Sequence, residues 1–156
     1  MVKSGLRLKD EPDSPMELRA RALRLLARRE HSRAELGRKL SQHAESAEAL
    51  EALLVDLENR KQLSDERFAS ERTRSLSRKF GAARIRHDLK ARGVDAQFID
   101  RISSEGELER ARAILARKYR QPAATREERA KRMRFLQGRG FSSDVIRSLL
   151  SSRDAG

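Results

Sequence analysis

Residues 89–102 read LKARGVDAQFIDRI, and the same pattern returns at residues 136–149 as LQGRGFSSDVIRSL. At a constant offset of 47 residues, the opening leucine, one glycine and the four apolar residues after it all match without a gap. A looser copy lies 49 residues upstream, where Leu40, Leu50 and Leu53 keep the apolar positions and Ala44 replaces the glycine. Self-similarity at a period of about 20 to 50 residues is typical of repeat proteins. The chain is therefore predicted to contain three copies of one structural unit.

Helix boundaries are predicted by a Ser or Thr followed three residues later by Glu, the pattern of a capping box. It occurs at Ser14/Glu17, Ser32/Glu35, Ser104/Glu107 and Thr125/Glu128. Gly93 and Gly140 are predicted to end helices in a left-handed conformation, after which Asp95 and Ser142 cap the next helix. The predicted helices are residues 15–29, 33–42, 46–59, 65–80, 82–92, 96–103, 105–119, 126–138 and 143–152, three in each repeat.

Each predicted helix carries one narrow apolar stripe, such as Ala82, Ile85 and Leu89 on the fifth. Such a helix buries only one side, so the three helices of a repeat must pack together and against the next repeat. The predicted fold class is all-α, with three tandem three-helix repeats in an elongated, curved stack. Residues 1–15 are predicted to be a flexible leader and residues 16–152 a single helical domain, with repeats at about 16–63, 64–104 and 105–152 and a tail at 153–156. The aromatic side chains are expected in the packing.

Catalytic and metal chemistry find little support in the sequence. The 156 residues include no cysteine, so disulfides and thiolate metal sites are excluded. His31, His43 and His87 lack ligand-like spacing and are expected at the surface. No secretory signal pattern or membrane-length apolar run is present, which favours a cytoplasmic protein. We predict a monomeric, non-enzymatic binding protein with no catalytic residues, no cofactor, no metal and no membrane partner.

The formal net charge of +12 is unevenly distributed. Residues 72–92 carry a net charge of +7 and residues 110–139 a net charge of +9, so the rest of the chain is slightly acidic. Arginine outnumbers lysine, and its planar guanidinium suits bidentate contacts with phosphate or carboxylate. The candidate contact residues lie on the expected polar faces of the second and third repeats: Arg74, Arg78, Arg86, Lys90, Arg129 and Arg132.

Three interpretations of this charge remain open. The partner is polyanionic or acid-rich, or the arginines form a solvated face that only maintains solubility. Direct binding to single- or double-stranded nucleic acid explains the charge equally well. Few aromatic residues are expected to be exposed, which argues against a platform on which bases stack.

Three stretches resemble the signature regions of the RecX family of bacterial regulators. They are ALRLLARREHSRAEL at residues 22–36, LSDERFASERTRSLSRKFGAARIRHDLKARGV at 63–94 and KRMRFLQGRGFSSDVI at 131–146. The middle stretch is the most specific, with the run Asp65 to Ala69 followed by a helix that opens at Gly81. The resemblance extends over nearly the whole chain, from Met16 to Ser152. One departure is Ala44, which stands where the family has a glycine and puts the shape of the first repeat in question.

The resemblance implies a modulator of the RecA recombinase, usually an inhibitor, built as a right-handed solenoid of three-helix repeats. It also implies that the protein lies in the groove of the RecA nucleoprotein filament and restrains strand exchange and ATP hydrolysis by RecA. The alternative is a basic helical nucleic-acid-binding protein that acts by binding DNA directly.

Overall fold

A computed structural model describes residues 11–151, and in this range the chain forms helices and no strand. The predicted leader and tail fall largely outside the described residues. The helices are α1 (Pro15–Arg28), α2 (Arg33–Ser41), α3 (Ala47–Asn59), α4 (Asp65–Leu76), α5 (Ala82–Ala91), α6 (Ala96–Ile99), α7 (Glu107–Lys118), α8 (Arg126–Gly138) and α9 (Ser143–Ser151).

The largest differences from the predicted bounds are at two helices, α6 and α4. The sixth is a single turn, and α4 ends at Leu76 instead of continuing to residue 80. Beyond α4, the carbonyl of Arg78 accepts a hydrogen bond from the Arg117 guanidinium and that of Lys79 accepts one from Arg139. These long-range side chains satisfy two carbonyls just beyond α4 that have no partner within a helix. Residues far along the chain therefore hold the segment after α4, and no local pattern reveals that.

Three of the four predicted capping boxes are confirmed, at Ser14/Glu17, Ser32/Glu35 and Thr125/Glu128. The fourth, Ser104/Glu107, is wrong. Glu107 is only 3% exposed, and its carboxylate accepts a hydrogen bond of 2.5 Å from the backbone N–H of Ala82, at the start of α5. The N-cap of α5 is Gly81, which has no side chain to offer, so Glu107 supplies the acceptor from another helix.

Replacing Glu107 with alanine is expected to lower the free energy of unfolding by about 2 kcal/mol, because a buried N–H loses its acceptor. Gln at this position keeps an acceptor oxygen and should cost less. The matched control is Glu109→Ala in the same turn, since Glu109 is exposed and its change should stay within about 0.5 kcal/mol. Urea unfolding of the three variants measures the difference. Equal losses for Glu107→Ala and Glu109→Ala would contradict this account of the cap.

The glycines at the predicted helix ends adopt the expected conformation, with φ of 73° at Gly93 and 89° at Gly140. Asp95 and Ser142 accept hydrogen bonds from backbone N–H groups of the following helices, as predicted. In the first repeat, the turn after α2 uses no left-handed residue at Ala44. In this turn the carbonyl of His43 accepts a hydrogen bond from the backbone N–H of Asp13.

The chain forms two compact units, residues 11–68 and residues 69–151 within the described range. The predicted leader overlaps the first unit at Asp13, which is 3% exposed and paired with the guanidinium of Arg21. Helices α1, α2 and α3 pack around one apolar cluster in this unit. Its buried members are Leu18, Ala22, Leu36, Leu40, Leu53, Leu54, Leu57 and Leu63.

In the second unit, the main apolar cluster lies between α7, α8 and α9. Its buried members are Ala111, Ile114, Leu115, Leu136, Phe141, Ile146, Leu149 and Leu150. The predicted stripe of α5 is buried as well, at Ala82, Ile85 and Leu89. Gly81 lies so close to the turn after α8 that its N–H donates to the carbonyl of Arg139 at 2.7 Å. The start of α5 and the turn between α8 and α9 are therefore in direct backbone contact.

The expectation that His31 lies at the surface is wrong, because the side chain is only 1% exposed. Its Nδ1 lies 3.1 Å from the carbonyl of Arg29 and its Nε2 lies 2.9 Å from the ammonium of Lys39. Nδ1–H therefore donates and Nε2 accepts, which is the pattern of a neutral imidazole. Burial lowers the pKa of His31 below its ordinary value, and the charges of Arg29 and Lys39 act in the same direction.

We expect the protein to lose stability as the pH falls through about 6.5, because the unfolded chain then gains a proton on His31 that the folded chain does not. The slope from this group approaches at most about 1.4 kcal/mol per pH unit. Urea unfolding between pH 7.5 and pH 5 measures it. His31→Gln should flatten the dependence, whereas His87→Gln, at an exposed histidine, should leave it unchanged. An equal slope in wild type and His31→Gln would contradict the assignment.

Candidate functional site

The first unit is close to neutral, because residues 11–68 contain eleven Lys and Arg against twelve Asp and Glu. Its arginines are largely paired with carboxylates. The pairs are Arg19 and Arg60 with Asp56, Arg21 with Asp13, Arg29 with Glu35, Arg33 with Glu51 and Glu58, and Arg67 with Glu30. Hydrogen bonds from Arg33 and Arg19 lower the pKa of Glu51 and Asp56, respectively, so these pairs stay ionised near neutral pH. Little positive field is left over in this unit.

The positive charge lies mainly in the second unit, because residues 69–151 contain 21 Lys and Arg against 10 Asp and Glu. Several of its arginines donate to backbone carbonyls instead of carboxylates. Arg84 donates to Gly138 at 2.8 Å, Arg117 to Arg78 at 2.6 Å and Arg139 to Lys79 at 3.4 Å. A carbonyl orients a guanidinium without cancelling its charge. The positive charge at these positions therefore remains available to an anionic partner.

Two of these three arginines, Arg84 and Arg139, also contact aromatic rings. The guanidinium of Arg84 lies 4.4 Å from the centre of the Phe80 ring, and that of Arg139 lies 5.4 Å from it. Arg139 also lies 5.0 Å from the ring of Phe135, which has the ammonium of Lys118 at 4.2 Å. These are cation–π distances. Phe80 and Phe135 therefore bring together cations from two helices and one turn.

We call this cluster the basic seam. It consists of Arg78, Lys79, Arg84, Arg117, Lys118 and Arg139. Within the part of the chain that the structure describes, none of the six side chains pairs with a carboxylate. Five of the six are exposed and Arg139 is half-buried. The nearby acid Asp88 is occupied elsewhere, since hydrogen bonds from Arg72 and Arg92 hold its pKa below the ordinary range.

The six contact residues predicted from sequence differ in exposure and in the partners that the structure gives them. Arg74, Arg78 and Lys90 are exposed and make no ion pair within the described range. Arg86 is half-buried and its guanidinium donates to the carbonyl of Ile102 at 2.7 Å, so it also holds the turn after α6. Arg129 is exposed and already has an interaction within the chain.

Placing Arg132 on an exposed polar face was wrong. It is 6% exposed, its guanidinium lies 4.4 Å from the centre of the Tyr119 ring, and it donates to the carbonyl of Gln121 at 2.8 Å. Its position on α8, one turn before the buried Leu136, turns it inward.

The prediction from sequence did not include Lys79, Arg84, Arg117, Lys118 or Arg139. The signal was available in part, because Phe80 and Tyr119 lie next to cations and were interpreted as core residues. Phe68 and Phe141 are buried as expected, but Phe80, Tyr119 and Phe135 are half-buried and covered by cations. Which cations meet which ring depends on contacts between the residues after α4 and those at the ends of α7 and α8, and these contacts join residues up to 60 positions apart.

Other kinds of site are not found in residues 11–151. No group of three or more His, Asp or Glu side chains is arranged to hold a metal ion there. No helix of this range is long and apolar enough to cross a membrane. The outstanding feature is a cluster of oriented, uncompensated cations. Fold and site together define a helical repeat protein with a cluster of basic residues at its surface.

Comparison with known proteins identifies the family. Models of the first, second and third three-helix domains of RecX match residues 19–57, 64–101 and 105–150. The chain is 45% identical to a regulatory protein RecX of Leptothrix cholodnii over 142 residues, which cover 89% of this chain and 90% of that protein. It is 41% identical to one of Ralstonia nicotianae over 147 residues, 92% of each. The chain belongs to the RecX family, and the predicted fold class of three three-helix repeats is confirmed.

Solved structures agree on the fold. A crystal structure of RecX from Lactobacillus salivarius matches with a TM-score of 0.79 over 91% of this chain and 97% of that chain, at 19% sequence identity. A second crystal structure, of a regulatory protein RecX, matches with a TM-score of 0.70 over 88% of this chain and 74% of that one, at 22% identity.

Proposed function

We propose that this protein regulates the RecA recombinase as an inhibitor. It binds in the groove of the RecA–DNA filament and restrains strand exchange and ATP hydrolysis by RecA. Membership of a family of regulatory proteins supports the regulatory role. The basic seam supports the mode of binding, because four of its six cations are oriented by carbonyls or rings and, in the described range, none is neutralised by an acid. The protein acts in the cytoplasm, as a monomer and without a catalytic step of its own.

The physical gain comes from many weak contacts made at once. A cationic surface that meets a polyanion releases counterions, and the resulting affinity falls steeply with salt. Contacts to several filament subunits add avidity without requiring strength from any one of them. Arg74 and Lys90 extend the same charge along α4 and α5. Of the six residues predicted from sequence, we retain Arg74, Arg78, Lys90 and Arg129 as contacts and assign Arg86 and Arg132 to supporting roles.

The competing function is direct binding to bare DNA. The charge of +11 on residues 69–151 favours it, whereas the half-buried, cation-covered rings of Phe80 and Phe135 argue against a base-stacking platform. Fluorescence anisotropy of labelled protein separates the two functions. We expect binding to RecA-coated single-stranded DNA to be at least tenfold tighter than binding to the same DNA uncoated, at equal salt. Equal affinity would favour the DNA-binding function.

A further inference from the structure

A cavity of about 340 Å³ lies in the third repeat, next to the basic seam but lined by none of its six cations. Pockets for small molecules begin at about 300 Å³, so this one can accept a ligand of modest size. It is formed by the end of α7, the residues that follow it, and one side chain each from α8 and α9. Its lining residues are Arg112, Leu115, Ala116, Tyr119, Arg120, Arg132 and Leu149.

Three of the lining residues are arginines, and no acidic residue lines the cavity. Arg132 is the fixed one, buried against Tyr119 and bonded to the carbonyl of Gln121. Arg120 is exposed and has no partner in the described range. Arg112 pairs with Glu109 at 2.7 Å, but both side chains are at least half-exposed and water weakens that pair. The side chains that line the cavity therefore carry a formal charge of +3, part of which Glu109 offsets at Arg112.

A second acid, Glu128, does not compete for the cavity. Hydrogen bonds from the backbone N–H groups of Ala124 and Thr125 hold its carboxylate and lower its pKa, and the charge of Arg132 acts in the same direction. Those two hydrogen bonds cap α8. Glu128 thus neutralises part of the charge of Arg132 and leaves Arg112 and Arg120 uncompensated from that side.

The remaining wall is apolar. Leu115, Ala116 and Leu149 contribute aliphatic surface, and Tyr119 contributes an aromatic ring with a hydroxyl group. Three guanidiniums suit a multiply charged oxyanion such as phosphate, to which arginine can donate two parallel hydrogen bonds. The apolar wall suits a flat or aliphatic body attached to that phosphate. A nucleoside phosphate combines both features in a size that the cavity can hold.

We propose that this cavity binds a nucleoside monophosphate, with the phosphate on Arg112, Arg120 and Arg132 and the nucleoside against Tyr119, Leu115 and Leu149. This ligand is either a free nucleotide or the phosphorylated end of a nucleic-acid strand. The proposal does not depend on the proposed function, because it concerns the protein alone, without RecA.

Isothermal titration of the full-length protein with adenosine monophosphate tests it, with adenosine and inorganic phosphate as matched probes at the same ionic strength. We expect the nucleotide to bind at least tenfold more tightly than either half. Arg120→Gln should weaken this binding at least tenfold. Arg134→Gln is the control, because Arg134 is exposed on α8 and does not line the cavity. Competition by a 5′-phosphorylated hexanucleotide, compared with its unphosphorylated form, identifies which source of the phosphate the cavity accepts.

Tyr119→Leu keeps an apolar wall and removes the ring, so it is expected to reduce the preference for the nucleotide over inorganic phosphate. If the nucleotide binds no more tightly than phosphate, or if Arg120→Gln and Arg134→Gln bind it equally, the proposal is overturned. Far-ultraviolet circular dichroism of each variant shows whether its helices are intact, so a folding defect is not counted as loss of binding.

Discussion

Replacing Arg78, Lys79 and Lys118 together with glutamine is expected to weaken binding to the RecA–DNA filament ten- to a hundredfold. These three members of the basic seam donate no side-chain hydrogen bond to the rest of the chain, so their removal should leave the fold intact. Charge-assisted contacts at exposed positions contribute about 0.5 to 0.9 kcal/mol each, and three of them together give a loss of this size. If all three face phosphates, the slope of log affinity against log salt should fall by roughly 3.

A control with the same change in charge is available in the first unit. Arg24, Arg28 and Arg38 are exposed and, in the described range, unpaired. Their replacement by glutamine removes three positive charges outside the seam. We expect this variant to bind the filament within about threefold of wild type, measured by the same anisotropy titration. Equal losses in the two triple variants would mean that overall charge, and not the seam, determines binding.

Gly140→Ala is expected to be the most destabilising single substitution considered for this protein. The backbone at Gly140 has φ of 89°, where a side chain costs about 1 to 2 kcal/mol. An added Cβ would also lie 2.7 Å from the backbone nitrogen of Arg84 and 2.5 Å from its Cβ. Overpacking of this kind costs about 1 to 3 kcal/mol, so the expected loss is about 2 to 5 kcal/mol. Thermal unfolding should show a fall in Tm of roughly 5 to 15 °C.

Gly138→Ala is the matched control, two residues away at the end of α8. A Cβ at Gly138 meets no atom within 4 Å, and its φ is not positive. Alanine is preferred over glycine in helices, so this variant should be unchanged or stabilised by up to about 1 kcal/mol. Gly81→Ala should resemble Gly140→Ala, because its Cβ would lie 2.5 Å from the carbonyl oxygen of Gly140. Similar Tm values for Gly138→Ala and Gly140→Ala would contradict the close approach of α5 to this turn.

The helical pattern was largely predictable from sequence because its signals are local. Three capping boxes and the glycines at 93 and 140 lie within a few residues of a helix end, and the 47-residue repeat can be seen by aligning the sequence with itself. Glu107 shows where such reasoning fails. Its spacing from Ser104 fits a capping box, but packing buries the carboxylate at the start of α5, where Gly81 leaves an unsatisfied N–H. Choosing between two caps for one side chain requires knowledge of tertiary structure.

The sequence predicted the region of the candidate site but only some of its residues. Counting charges located the positive field in the second and third repeats, and Arg78 lies in the basic seam. Helical periodicity did not distinguish Arg132, which faces a cavity, from Arg139, which reaches Phe80 and the carbonyl of Lys79. An arginine side chain extends several ångströms from its helix. Its partners therefore depend on which rings and carbonyls the neighbouring helices provide.

We infer that the protein acts on the RecA filament and not simply by covering DNA. The most direct test is the rate of single-stranded-DNA-dependent ATP hydrolysis by RecA as this protein is titrated, with its binding to bare DNA measured at the same salt. We predict loss of hydrolysis at ratios well below one protein per RecA and well below the concentration that coats the DNA. Loss only at coating concentrations would contradict the claim and identify a basic protein that competes with RecA for DNA.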